Sequence, residues 1–313
     1  MKRLVLGAVI GLVFWGALPS AAQTATLSSY FERAASAEYA GDQVLTCRTP
    51  VGIRDSAARV QQAGGVLYVR AGVDGAPTVS ADAGTLAAHG PGAAAESIAF
   101  AAATKAPAGY TMAGTDAVTY LGRDADRVSL SAGGTNRVRL TFDQETGALL
   151  RSETLNADGT VYCTTRLTSF VPGLPEVDTA ELGAVRKVSK QPDFSATVFP
   201  ARAGTFRRLD VYGWKDLGNM AYYSDGFFAF ALFHVQERFS VTSIPEAREW
   251  EGEAGTYWRW FRPGTTTLVW DTKDGGMALH GDLPLDMQAA VLAALPAPGR
   301  PNFFSRILSL LGG

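Results

Sequence analysis

Histidine is scarce in this chain, and the three that occur, His89, His234 and His280, stand far apart. Cysteine is scarcer still: Cys47 and Cys163 are the only two. Scattered this way, they offer no ligand spacing for a metal ion, and no cofactor is expected. Gly-x-Ser-x-Gly elbows, His-Glu-x-x-His helices, phosphate-cradling loops and dinucleotide fingerprints are missing as well. Without a recognisable catalytic constellation, the chain reads as a binding protein and not as an enzyme. An excess of basic charge is also lacking. In 313 residues, 28 Lys and Arg stand against 30 Asp and Glu, a net charge of −2. That balance argues against nucleic acid as a partner, because a protein surface that binds nucleic acid is basic enough to displace its counterions.

Long apolar runs are few. Leu4 to Leu18 is uncharged and mostly apolar, shorter than the roughly 20 residues that span a bilayer. Lys2 and Arg3 precede it, Pro19 ends it, and Ser20-Ala21-Ala22 supplies the small residues that a signal peptidase reads. Residues 1–22 are therefore expected to be a signal peptide, cleaved after Ala22 or, second, after Ala25; a transmembrane anchor is the alternative. Cleavage removes two basic residues and no acidic one, which takes the net charge from −2 to −4. No Cys follows the apolar run, so lipoprotein attachment at that point is not expected. The expected place of work is the periplasm or another extracytoplasmic part of the cell envelope.

In that oxidising setting an even cysteine count favours one disulfide, Cys47–Cys163, with two buried thiols as the alternative. Each Cys sits in a strand-like segment, so a bridge would tie the start of a first domain to its end.

Ser28 to Tyr39 has helical character, with Ser28 or Ser29 as its cap. From Gly41 the apolar period becomes two, and strands are expected at 43–48, 66–70, 110–113, 118–122, 127–131, 137–142, 148–155 and 161–170. Gly133-Gly134, Thr146-Gly147 and Asn156-Ala157-Asp158-Gly159 carry the chemistry of tight hairpins. Asp124, Asp126 and Asp143 are read as turn residues, not as paired catalytic carboxylates. Gly72 to Pro107 reads mostly as loop, with a helix across the alanine run 93–103.

Proline brackets a polar linker at 173–195. Strands resume at 196–200, 206–214, 220–236, 257–261, 266–271 and 276–280. Residues 285–295 form the clearest helix, with a stripe at 285, 289, 292 and 295. In Tyr257-Trp258-Arg259-Trp260-Phe261, alternation puts Trp258 and Trp260 on one face and the other three on the opposite one. Residues 297–313 form a short amphipathic tail that docks on a membrane surface, a partner or its own domain.

Three stretches carry a family resemblance. Tyr120-Leu121-Gly122-Arg123-Asp124-Ala125-Asp126-Arg127-Val128 leads to Leu140-Thr141-Phe142-Asp143-Gln144-Glu145-Thr146-Gly147-Ala148-Leu149-Leu150-Arg151. Tyr222-Tyr223-Ser224-Asp225-Gly226-Phe227-Phe228-Ala229-Phe230-Ala231-Leu232-Phe233 is the second. Gly281-Asp282-Leu283-Pro284, entering the last helix, is the third. From about Tyr39 to Leu295 the chain resembles the MucB/RseB family of extracytoplasmic sigma-factor regulators, particularly its actinobacterial-type members. The resemblance implies an α+β fold. A curved antiparallel sheet with covering helices, a LolA-like half-barrel over 26–172, would be followed by a smaller sheet-plus-helix domain over 196–296. It implies a membrane-bound anti-sigma factor as partner, shielded from proteolysis, with lipid-type signals releasing the hold. Tyr223, Asp225, Trp258, Arg259 and Trp260 are the expected partner-binding residues. The alternative function is a lipid or lipoprotein carrier using the concave face of the first sheet. A homo-oligomer is left open.

Overall fold

The computed structural model describes residues 26–50, 52–63, 66–71, 78–82, 85–87, 107–173, 198–214, 218–235, 246–262, 265–281 and 283–299. The expected signal peptide, the alanine-rich helix at 93–103, nearly all of the 173–195 linker and the tail beyond Gly299 lie outside these residues.

Helix α1 (Leu27–Ser36) starts one turn earlier than its serines suggest. Thr26 is the cap: its hydroxyl accepts from Ser29 N, and Ser29 Oγ accepts from Thr26 N, a reciprocal pair that satisfies two orphan donors. The helix stops at Ser36 because Gln62 donates its amide to the carbonyls of Ala34 and Ala35 at 2.5 and 3.3 Å. Tyr39, expected at the helix end, opens the first strand instead.

Among the described residues two antiparallel sheets follow, neither closed. The first has eleven strands: β1 (Tyr39–Thr49), β2 (Gly52–Ala63), β3 (Val66–Ala71), β4 (Thr78–Asp82), β5 (Thr85–Ala87), β6 (Thr111–Tyr120), β7 (Arg123–Ala132), β8 (Thr135–Asp143), β9 (Leu149–Leu155), β10 (Val161–Leu167) and β11 (Val171–Pro172). Their order is β5-β4-β3-β2-β1-β10-β9-β8-β7-β6, with β11 beside the start of β1. Two meanders thus meet at a single seam, β1 against β10. Cys47 faces Cys163 directly across that seam, and the two form a disulfide.

The second sheet repeats the plan. Strands β12 (Arg202–Ala203), β13 (Phe206–Trp214), β14 (Gly218–Ser224) and β15 (Ala229–Val235) form one meander. Strands β16 (Arg248–Gly252), β17 (Gly255–Arg262), β18 (Thr265–Thr272) and β19 (Gly275–Gly281) form the other, and β15 joins β19. Helix α2 (Leu285–Leu292) closes the order.

Several expectations are corrected. Strands β2 and β16 were not anticipated, and β4 and β5 occupy a stretch read as loop. The two strands expected at 110–113 and 118–122 are one, β6, interrupted by a bulge between Met112 and Gly114. The long strand expected at 220–236 breaks into β14 and β15 at a turn through Asp225. No strand forms across the described part of 196–200, where residues 198 and 199 turn. Asp124 and Asp126 lie inside β7, while Asp143 ends β8.

Helix α2 is shorter than expected and turned about its axis. Gln288, Val291 and Leu292 face inward, whereas Leu285 is 46% exposed and Ala289 is exposed. The helix is apolar almost all round, so periodicity alone cannot pick its inner face. Gln288 does so, donating its buried amide to Leu283 O at 3.0 Å. Trp270 fixes the exit by donating to Pro296 O at 2.8 Å.

The core does not divide with the sheets. Tyr30, Phe31, Leu140 and Phe142 from α1 and the first sheet share one cluster with Phe206, Tyr223, Phe230 and Trp270 of the second. Burial of this shared apolar surface is the main force holding the two halves together.

Candidate partner-binding cleft

The turn after β14 forms the joint between the sheets. Asp225 Oδ1 accepts from the N–H groups of Phe227 and Phe228, both at 2.9 Å. Ser224 Oγ donates to Phe228 O and accepts from Gly226 N, also at 2.9 Å. These local bonds are the backbone-mimicking turn chemistry of Asp and Ser. They leave Asp225 Oδ2 free to reach outward, and it accepts from the Tyr110 phenol at 2.8 Å. Phe227 sits edge-on to Tyr110 at 4.7 Å and to Phe31 at 6.3 Å, closing the joint with aromatic contacts. Burial pushes the Asp225 carboxyl above its usual range, opposed by the hydrogen bonds it accepts. Burial, followed by the charge of Asp225, raises the Tyr110 phenol.

An ion pair makes a second joint. Arg137 on β8 reaches Asp286, in the first turn of α2, at 2.5 Å. The carboxylate also lies at the positive end of the helix dipole.

Beside this ion pair a cleft of about 540 Å³ opens between the sheets. From the first sheet come Arg48, Tyr162 and the turn Asn156–Thr160; from the second come Phe261, Leu283 and Leu285. The turn is well braced: Asp158 Oδ1 accepts from Thr160 N at 2.9 Å and Thr160 Oγ1 at 2.6 Å. Those bonds hold the Asp158 carboxyl below its usual range. Phe261 is held by Arg259, whose guanidinium lies 5.1 Å from its ring and 5.0 Å from the Trp250 ring. The cleft has the size of a ligand-binding site, a mostly apolar wall and a few polar groups.

The five residues expected to grip a partner do not converge here. Tyr223 is fully buried, stacked on Phe230 at 4.8 Å and donating to Pro200 O at 2.8 Å. It is a core residue and presents no surface. Asp225 belongs to the joint. Arg259 lies between two rings, on the same side of β17 as the buried Tyr257. Trp258 and Trp260 alternate to the other side, opposite Val269 and Thr267, and are half-buried. Arg48, Tyr162, Leu283, Leu285 and Asp286 were missed. A signal existed for two of them, since Arg48 and Tyr162 adjoin the paired cysteines.

A smaller hollow of about 40 Å³ lies under α1 on the first sheet, lined by Phe31, Gln43, Gln62, Phe142 and Arg151 among others. Among the described residues no group of His, Cys, Asp and Glu could hold a metal ion, and no helix is long and apolar enough to cross a membrane. His234 Nε2 lies 3.2 Å from Asp274 O and His280 Nδ1 lies 2.8 Å from Thr267 Oγ1, both ordinary contacts within the second sheet.

The sequence matches no protein-family model and no curated protein. Solved structures are similar in shape. The crystal structure of MucB superposes over 86% of this chain and 95% of its own, at 18% identity and a TM-score of 0.54. The Pseudomonas aeruginosa MucA/MucB complex covers 88% and 99%, at 18% identity and 0.55. MucB in complex with MucA(peri) covers 88% and 99%, at 19% identity and 0.53. The similarity runs through both sheets, so the chain carries the two-sheet fold of MucB.

Proposed function

We propose that this protein is an exported regulatory binding protein that holds the extracytoplasmic segment of a membrane anti-sigma factor and so controls its proteolysis. The observation that carries the reading is the cleft of about 540 Å³ walled by both sheets. A chain segment lying there would touch both halves at once, and its fit would depend on the joint at Tyr110 and Asp225. The MucB fold supports the reading, because proteins of that fold are solved with MucA bound. In this proposal residues 1–22 are the signal peptide, and 26–172 and 196–296 are the two binding halves joined by 173–195. The cleft walls, not the five residues first singled out, make the contact.

The carrier alternative is less well supported. The hollow under α1, about 40 Å³, is far below the roughly 300 Å³ at which ligand pockets begin.

The test is purification of the tagged mature protein from envelope extract at low salt, with partners identified by mass spectrometry. The account expects a membrane-anchored anti-sigma factor in stoichiometric amount. Recovery of stoichiometric lipid and no such partner would favour the carrier instead.

A further inference from the structure

The second sheet is apolar on both faces. Its inner face carries Tyr223, Phe230, Leu268 and Trp270, which pack with α2 and the first sheet in the shared core. Strand register lays a row across the opposite, outer face: Trp258 beside Val269, Val269 beside Ala278, Ala278 beside Phe233, and Phe233 beside Met220. Five strands about 4.8 Å apart make that row roughly 19 Å wide. Trp260, Ala231 and Tyr222 belong to the next row, with Thr267 and His280 between them.

A sheet with one face in water alternates apolar and polar residues along its strands. Here Ala229-Phe230-Ala231-Leu232-Phe233 on β15 and Met220-Ala221-Tyr222-Tyr223 on β14 are apolar or aromatic without a break, the pattern of strands covered on both sides. Burial agrees: Met220 is 8% exposed, Tyr222 6% and Val269 2%. Yet the outer cluster of Met220, Tyr222 and Ala229 draws only on β14 and β15 among the described residues. The outer face therefore calls for a cover that the described elements do not supply.

The chain leaving α2 is placed to supply it. Trp270 holds Pro296 O, Pro298 lies against Gly255, and Gly299 N donates to Asp271 O at 2.7 Å. Pairing of β17 with β18 ends at Trp258 and Val269, so Gly299 takes the place beside Asp271 that β17 gives up. The chain has thus come from the α2 side to the end of the sheet, two residues along β18 from Val269, and residues 300–313 follow. Among them Phe303, Phe304, Ile307, Leu308, Leu310 and Leu311 share one helical face, with Ser305, Arg306 and Ser309 on the other. A helix over 303–311 is about 14 Å long and fits within the apolar patch. One so short is unstable in water unless an apolar surface receives it.

We infer that residues 303–311 dock as an amphipathic helix on the outer face of the second sheet, over Trp258, Val269, Phe233 and Met220, so that a helix covers each of its faces. The inference is independent of what the cleft binds.

A photo-crosslinker at Leu308 in the otherwise intact mature chain tests it, with vesicles of phosphatidylglycerol and phosphatidylcholine present. Capture should map to β14, β15, β17 or β18 of the same chain. Peroxide gives a second readout, because methionine oxidation follows exposure. Met220 lies on the outer face, and Met277, 1% exposed, belongs to the shared core on the inner one. Leu308→Glu should speed oxidation of Met220 at least about tenfold while Met277 stays slow. Ser305→Glu, on the polar side of the helix, should change neither. Capture of lipid, of the first sheet or of a second copy would overturn the inference. So would slow oxidation of Met220 in Leu308→Glu, which would assign the cover to the 236–245 connection instead.

Discussion

Tyr110 donates its phenolic hydrogen to Asp225 across the junction of the two sheets at 2.8 Å, and both groups are largely buried. Tyr110 precedes the first strand of the returning meander, while Asp225 sits in the turn between β14 and β15 of the second sheet. The bond therefore couples a segment next to β6 with the turn that positions Phe227. Tyr110→Phe leaves Asp225 Oδ2 without this donor. Chemical denaturation should show a loss of about 1–3 kcal/mol, the cost of an unsatisfied buried acceptor.

The same carboxylate gives a pH signature. Burial raises the folded-state pKa of Asp225 above its ordinary value of about 3.8. The folded state then binds the proton more tightly than the unfolded state, so this group's contribution is full below that value and declines as pH rises through the folded pKa. Asp225→Asn, which keeps the turn's acceptor oxygen, removes the decline. The variant should gain on wild type as pH climbs above about 3.8, measured by denaturation at each pH.

Asp143 should behave in the opposite sense. Burial alone would raise its carboxyl, but hydrogen bonds from Arg123 and Thr146 outweigh that and hold it below the usual 3.8. Its contribution is present above that value and lost as pH falls through the folded pKa. Asp143→Asn should therefore be clearly less stable than wild type at pH 7, with the gap narrowing as pH drops below about 4. A gap that stays constant would show that the charge of Asp143 is not what matters.

What the sequence made legible follows from local chemistry. Gly133 and Gly134, with φ of 56° and 79°, and Gly159, at 81°, mark hairpins that could be placed without coordinates. Strand pairing across the seam was legible only through the cysteines, because nothing else in β1 announces that β10 lies beside it. Strand β2 escaped because Arg54-Asp55-Ser56-Ala57-Ala58-Arg59 lacks apolar alternation, being largely exposed where described. Tyr223 was misjudged for a related reason. Tyrosine in a strand fits a surface or a core, and only the Phe230 stack and the Pro200 acceptor decide which. The cleft itself was not legible, since its walls come from segments roughly a hundred residues apart that meet through the joint.

The disulfide should be the largest covalent contribution to stability. Its 116-residue separation spans nearly the whole first sheet. Loop-closure entropy for a ring of this length amounts to about 4–5 kcal/mol as an upper figure. The double variant Cys47→Ala/Cys163→Ala should lose a substantial part of that in urea titrations. Loss of less than about 1 kcal/mol would mean the seam is already fixed in the unfolded chain.

Gly226 should resist substitution. Its φ is 105°, and a Cβ there would lie 2.4 Å from Pro107 Cγ. Gly226→Ala should destabilise by more than about 1 kcal/mol, and the damage should show as weakened docking of the two sheets. Limited proteolysis between residues 173 and 198 is the readout.

The central claim is that a partner segment lies between the sheets, and contact mapping with the purified extracytoplasmic segment of the cognate anti-sigma factor tests it most directly. A photo-crosslinker placed at Leu285, 46% exposed on the cleft wall, is compared with one at Leu209, 55% exposed and absent from that wall. The account predicts capture from Leu285 and not from Leu209, with Leu285→Glu weakening binding at least about tenfold. Capture from Leu209 alone, or unchanged affinity in Leu285→Glu, would contradict it.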